Sequence, residues 1–375
     1  MKMFDVYPRY DIDPVRGLGS WIWDQEGQKY LDFYGGHAVI SIGHSHPHYI
    51  DRVQHQLRHL GFYSNSVQMP IQDELSQKLG EMSGYTDHEL FLCNSGAEAI
   101  ENALKVASFH TKRSKIIVFE NAFHGRTSLA VTATDTTKLI APINQNDRFI
   151  RVKLNDLKAL AQCLDVSVAA VLIEGIQGVG GIQVPDDAFL KELKLLCKQN
   201  GSLLIVDEIQ SGYGRTGKFF AHQYAQVEPD LITIAKGMGN GFPIGGVLMH
   251  PDIKAWSGML GTTFGGNHLA CAAGLAVLEV IDSEKLINHA NFMGDLLWKA
   301  LESLENLVHI RGRGLMIGLD LIGDSKPFRH SLLKEQNVFV GSAAQSNTVR
   351  LLPSLGVSQD ELVVFLEAFK KVGYA

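Results

Sequence analysis

Five short aliphatic runs punctuate the chain: Leu90 to Leu92, Lys115 to Phe119, Val168 to Ile173, Leu203 to Val206 and Leu231 to Ala235. The segments between them carry apolar residues at helical spacing, Asp187 to Asn200 being an example. Several runs lack polar alternation, as expected of strands covered on both faces. This alternation predicts an α/β fold built on a large, mostly parallel sheet.

The ends follow another pattern. Residues 1–47 hold two aromatic-rich stretches separated by turn residues at Gly17, Gly19 and Gly27, which predicts a small antiparallel ribbon. After residue 282 the pattern predicts a helix, a strand around Val308 to Leu321, a strand around Val338 to Leu352 and a last helix from Ser358. The expected organisation is a large domain over residues 48–281 and a smaller α+β domain made from residues 1–47 and 282–375.

Charge and cysteine usage narrow the function. A net charge of −6 supplies no general attraction for nucleic acid or an anionic membrane surface, and neither is expected as a partner. The longest helix-like apolar stretch, Leu269 to Ile281, is shorter than the roughly 18 residues that suggest a membrane span, and the opening residues lack the apolar core of a secretion signal. Cys93, Cys163, Cys197 and Cys271 form no CxxC pair, so a soluble protein of the reducing cytoplasm is expected.

Three strand ends carry chemistry. The run Leu203 to Val206 ends in Asp207, and Leu231 to Ala235 ends in Lys236. In open α/β sheets ligands sit at the carboxyl ends of strands. Separately, Asp207 reads equally as a helix cap or metal ligand, and Lys236 as a solvated lysine. Together they supply what pyridoxal phosphate requires, an amine for a Schiff base and a carboxylate to hold the pyridine nitrogen protonated. The third strand leads through Asn94 and Ser95 into a helical pattern, where Ser95, Gly96 and Ala97 can meet a phosphate at the helix N-terminus. No GxxxxGK[ST] phosphate loop is present.

Asn94-Ser-Gly-Ala-Glu98, Phe123-His-Gly-Arg-Thr127, Asp207-Glu-Ile-Gln210, Ala235-Lys-Gly237 and Thr262-Thr-Phe-Gly-Gly-Asn267 resemble, in order, the motifs of the class III, fold type I aminotransferases. Gly35-Gly36, the Gly43-His44-Ser-His-Pro47 turn and the Val349-Arg-Leu-Leu-Pro353 ending look most similar to the acetylornithine aminotransferase subfamily. The resemblance implies that Lys236 forms the Schiff base, Asp207 contacts the pyridine nitrogen and Gln210 approaches the ring hydroxyl. It places Phe123 and Ile209 on the two ring faces and Ser95, Gly96 and Ala97 at the phosphate. Thr263 is implied to come from the neighbouring subunit, which makes a homodimer the expected assembly.

The same resemblance assigns the substrate side to Arg126, Thr262 and Arg350. Arg126 would grip the α-carboxylate of an N-acylornithine and Arg350 that of glutamate, as planar guanidinium groups do. The implied reaction moves the δ-amine of N2-acetyl-L-ornithine to 2-oxoglutarate, giving N-acetylglutamate 5-semialdehyde and glutamate in arginine biosynthesis. N-succinylornithine, ornithine and 4-aminobutyrate aminotransferases are the alternatives, with a non-catalytic pyridoxal phosphate-binding regulator as the reading from another class.

One segment departs from the pattern. The family commonly reads Glu-Pro-Ile-Gln-Gly-Glu-Gly-Gly where this chain has Glu174-Gly-Ile-Gln-Gly-Val-Gly-Gly181, so Val179 replaces a glutamate that pairs with the glutamate-binding arginine. Either another acid substitutes, or Arg350 stays available to an anionic group such as a succinyl. His44, His46 and His48 are assigned to a structural turn rather than a metal, and His55 and His59 to a solvent-facing helix surface. Glycine, at 37 residues, clusters around these motifs.

Overall fold

The computed structural model describes residues 1–304 and 307–373. Its centre is a seven-stranded sheet ordered Glu89–Cys93, Gly245–Met249, Leu231–Ile234, Leu203–Asp207, Val168–Glu174, Lys115–Phe119 and Phe149–Val152. Gly245–Met249 runs antiparallel to both neighbours, and the other observed pairings are parallel. All five aliphatic runs are strands, with ends shifted by at most one residue from the expected ones. Two further strands were not anticipated. Arg151 interrupts Phe149–Val152, and Gly245–Met249 begins with two glycines, so neither reads as an aliphatic run.

Helices cover both faces. Gly96–Thr111 packs Ile100 and Leu104 against Ile205 and Val247, while Asp187–Asn200 packs Leu190 and Leu193 against Val171 and Val206 on the opposite face. Each fully buried leucine of this kind contributes about 1.5–3 kcal/mol. The helix His268–Ser283 contains the apolar stretch Leu269 to Ile281, and its burial within the core explains the near absence of charge along it. Among the described residues no helix is long and apolar enough to cross a membrane.

The terminal segments differ in detail from expectation. The N-terminal ribbon has three strands, Pro14–Leu18, Trp21–Asp24 and Lys29–Asp32, because Pro14–Leu18, which holds no aromatic residue, pairs with Trp21–Asp24 across the turn at Gly19 and Ser20. The expected strand over 308–321 is a hairpin of Leu307–Arg313 and Met316–Leu321 turning at Gly314 and Leu315. The expected strand over 338–352 is three short pieces, Val338–Phe339, Gly341–Ser342 and Thr348–Leu351, and a helix at Ser325–Gln336 precedes them. Val338–Phe339 pairs in parallel with Lys29–Asp32, and Leu352 N donates to Phe33 O at 2.8 Å, tying the two ends of the chain together. The last helix, Gln359–Gly373, stacks Phe365 on Phe33 with ring centroids 4.4 Å apart.

Parallel register places the chemistry. Glu174 is the Cα partner of Asp207, and Asp207 of Thr233, so the carboxyl ends of three adjacent strands open on one side of the sheet.

Candidate active site

A cavity of about 300 Å³ lies at these strand ends. Eight of the expected residues line it: Ser95, Gly96, Ala97, Phe123, Asp207, Ile209, Gln210 and Lys236. Arg126, Thr262, Thr263 and Arg350 are not on its wall. Thr262 Oγ1 accepts from Asn94 Nδ2 at 3.1 Å, which brings it to a lining residue, whereas Thr263 is exposed. Arg126 is exposed and makes no hydrogen bond or ion pair among the described residues.

Asp207 is buried where its strand ends. Its Oδ1 accepts from Ile209 N at 3.0 Å, and its Oδ2 accepts from His124 Nδ1 at 2.7 Å. His124 lies within the Phe123-His-Gly-Arg motif but was not singled out in the sequence. Its side chain is fully buried, and its Nε2 has no partner. Glu174 was also missed, although it ends a strand beside Asp207 as Asp207 itself does. Its two oxygens accept from Phe123 N and Gly178 N, each at 2.9 Å, and burial pushes its carboxyl up to about 7.

Lys236 follows the strand Leu231–Ile234 and adopts φ 45°, a strained conformation for a residue with a side chain. Burial lowers the affinity of its amine for a proton, against the opposing pull of Asp207 and Glu174. Lowering a lysine in this way raises the fraction of free amine, the form that acts as nucleophile and base.

The helix Gly96–Thr111 starts at the cavity. Ser95 caps it by accepting Glu98 N at 3.2 Å, and Asn94 N donates to Glu98 Oε2 at 2.7 Å. A Cβ on Gly96 would come within 2.9 Å of Ile209 Cδ1, so any larger residue at the helix start must displace the Ile209 side chain.

Arg350 is buried yet meets no carboxylate among the described residues. Its Nη1 donates to Gln210 Oε1 at 3.2 Å and its Nε to Ser342 O. Gln210 in turn donates from Nε2 to His37 O at 3.1 Å, so its amide is committed to the arginine and the backbone as well as to the cavity wall. Among the described residues no acid forms an ion pair with Arg350 in place of the missing glutamate. The His44 and His46 rings contact Asp32 and Glu284, His48 contacts Glu279, and no group of metal-ligand side chains occurs among the described residues. His55 and His59 are exposed.

The fold and this arrangement define a fold type I transaminase. A family model described as aminotransferase class-III matches residues 6–372, and the chain belongs to that family, whose members depend on pyridoxal phosphate. Acetylornithine aminotransferase of Bacillus cereus is 38% identical, covering 99% of this chain and 97% of its own length, and that of Brucella melitensis is 39% identical, covering 96% and 92%. Among solved structures, acetylornithine aminotransferase from Elizabethkingia anophelis superimposes with a TM-score of 0.84 at 32% identity over 98% of this chain and 94% of its own. Ornithine aminotransferase from Toxoplasma gondii does so with a TM-score of 0.89 at 31% identity over 97% and 90%, and that structure has pyridoxal phosphate at its active site in partial occupancy.

The residues present fit the cofactor. A buried primary amine, a carboxylate at the adjacent strand end and a capped helix N-terminus without a first-turn side chain at Gly96 surround one cavity. These are the groups that a phosphorylated pyridine aldehyde can use.

Proposed function

We propose that this chain transfers the δ-amine of N2-acetyl-L-ornithine to 2-oxoglutarate, giving N-acetylglutamate 5-semialdehyde and glutamate, and that it serves arginine biosynthesis in the cytoplasm. The observation that carries this reading is the convergence of Lys236, Asp207 and the helix start at Ser95–Ala97 on one cavity, with Arg350 bonded to the lining residue Gln210. The acetylornithine aminotransferases at 38–39% identity supply the substrate class.

Pyridoxal phosphate, when bound, acidifies the C–H bond of the carbon bearing the transferred nitrogen by acting as an electron sink. Asp207 would hold the pyridine nitrogen, Gln210 the ring hydroxyl, and Ser95, Gly96 and Ala97 the phosphate. Phe123 and Ile209, which both line the cavity, would pack on the ring faces. Lys236 Nζ would hold the cofactor and would be the base that moves a proton at the reacting carbon, a task suited to an amine whose proton affinity is lowered by burial. Arg126 binds the α-carboxylate of the acylornithine, Arg350 that of glutamate, and Thr262 supports the substrate side through Asn94.

The proposed assembly is a homodimer with shared sites, Thr263 reaching the cavity of the second copy. Exposed Leu57, Leu60, Phe62 and Phe264, with the two phenylalanine rings 5.4 Å apart, give an apolar face beside Thr263. The division into a large domain, residues 48–281, and a small one, residues 1–47 with 282–375, is supported by the pairing of Val338–Phe339 with Lys29–Asp32. Four free cysteines suit the cytoplasm.

N-succinylornithine is a second reading, favoured by the absence of a carboxylate partner for Arg350. Mixing the holoenzyme separately with N-acetylornithine, N-succinylornithine, ornithine and 4-aminobutyrate, and following the loss of cofactor visible absorbance, separates the donors. Fastest conversion by N-acetylornithine supports the first reading, by N-succinylornithine the second, and by either unacylated amine contradicts both.

A further inference from the structure

The turn that carries Lys236 begins and ends on a left-handed residue, Lys236 at φ 45° and Asn240 at φ 46°. Asparagine accepts that conformation readily, whereas for lysine it is costly and persists only where the surroundings enforce it. Inside the turn Met238 N donates to Ala235 O and Gly239 N to Lys236 O, each at 3.0 Å, bonds that any tight turn makes. The enforcement comes from a distant part of the chain.

Ser41 is buried against the turn, and all three of its polar groups are committed. Its hydroxyl donates to Gly237 O at 2.7 Å, its N donates to Asn240 Oδ1 at 2.8 Å, and its O accepts from Leu355 N at 2.7 Å. The buried Asn240 side chain completes the clamp, since the same Oδ1 accepts from Ile42 N at 3.1 Å and its Nδ2 donates to Gly43 O at 2.9 Å. Residues 41–43, 237–240 and 355 thus converge next to Lys236. Neither Ser41 nor Asn240 lines the cavity, whereas Lys236 does, so whatever the pair does for the site it does through the lysine turn.

We propose that Ser41 and Asn240 are positioning residues that hold Lys236 in the strained conformation from which its amine meets the cofactor aldehyde. The inference rests on the reading of Lys236 as the cofactor-bearing amine and adds the residues that present it. The free amine condenses with the aldehyde, a carbon–nitrogen double bond forming while the aldehyde oxygen leaves as water with both amine protons. Pyridoxamine phosphate carries an amine in place of the aldehyde and fills the same cavity without that bond. A clamp that acts through Lys236 therefore favours the aldehyde form over the amine form, whereas a general packing role would serve both alike.

The test measures, by equilibrium dialysis of the cofactor-free full chain, the affinities for pyridoxal phosphate and pyridoxamine phosphate in wild type, S41A, S41T, N240G and K236A. In S41A and N240G the preference for the aldehyde form is expected to fall at least about fivefold, the effect of losing a buried hydrogen bond. Pyridoxamine phosphate should bind these variants within about threefold of wild type, which also reports an intact cavity. N240G keeps the left-handed backbone, so its loss reads the side chain alone. S41T keeps the hydroxyl donor and should keep the preference within about twofold. Equal weakening of both cofactor forms in S41A and N240G overturns the proposal, as does an unchanged preference in either, or a preference in S41T as low as in S41A. K236A tests the underlying reading separately: retention of the wild-type preference there overturns the assignment of Lys236 itself.

Discussion

His124 Nδ1 donates to Asp207 Oδ2 over 2.7 Å, and both side chains are buried at the carboxyl end of the central strand. The bond fixes which imidazole nitrogen carries the proton. A charge-assisted hydrogen bond of this kind is worth about 1.5–3 kcal/mol. His124→Phe is therefore expected to weaken cofactor binding by about tenfold or more, while His124→Asn, whose amide can replace the Nδ1 donor, retains most of it. Titrating cofactor into each cofactor-free variant and reading the visible absorbance checks this; equal affinities in the two variants would contradict it.

Glu174 makes stability depend on pH. Its carboxyl titrates near 7 in the folded chain against 4.5 unfolded, so the folded state holds the proton more tightly. For an acid shifted upward, the stabilisation is complete below about pH 4.5 and is lost as pH rises through 7. The interval corresponds to about 3 kcal/mol. Glu174→Gln keeps the site neutral throughout, so the stability of cofactor-free wild type should fall relative to this variant by about that amount between pH 4.5 and 8. Denaturant titrations at both pH values would show it, and a constant difference would count against the buried-acid assignment.

Much of this site was legible because its chemistry sits at strand ends, and strand ends are marked by an abrupt change from aliphatic to polar residues. Asp207 and Lys236 show that change in the sequence, and both line the cavity. Glu174 shows it equally, yet a lone acid before a glycine-rich segment has no partner in the linear chain; its meaning comes from the register that sets it beside Asp207. His124 was hidden for the same reason, since 83 positions separate it from the carboxylate it contacts. In the fold, Gly245–Met249 escaped notice because two of its five residues are glycine, and the hairpin at 307–321 reads as one strand although Gly314 marks its turn.

Gly96 permits close approach between the helix start and the strand end. Gly96→Val would push a branched side chain into Ile209, where even the Cβ meets Cδ1 at 2.9 Å. Overpacking of this kind costs about 1–3 kcal/mol. The expected outcome is cofactor affinity reduced at least tenfold with the oligomeric state unchanged, measured by absorbance titration and light scattering. Wild-type affinity in the variant would show that the phosphate is held elsewhere.

Among the described residues Arg350 has no ion-pair partner, and Val179 stands where the family commonly has a glutamate. Val179 O accepts from Ala344 N at 2.9 Å, two residues beyond Ser342, whose carbonyl holds the arginine. Val179→Glu is expected to compete for the guanidinium and raise KM for 2-oxoglutarate by about threefold or more, with the donor half-reaction less affected. Steady-state kinetics in each substrate decides it, an unchanged KM for 2-oxoglutarate being the contrary result.

The proposed reaction depends most on Lys236, the buried amine at the end of Leu231–Ile234. Purified Lys236→Ala, incubated with pyridoxal phosphate, N-acetylornithine and 2-oxoglutarate, should form no glutamate above background and show none of the visible absorbance of a lysine-bound cofactor. Glutamate formation within tenfold of the wild-type rate would contradict the assignment of Lys236 and with it the proposed reaction.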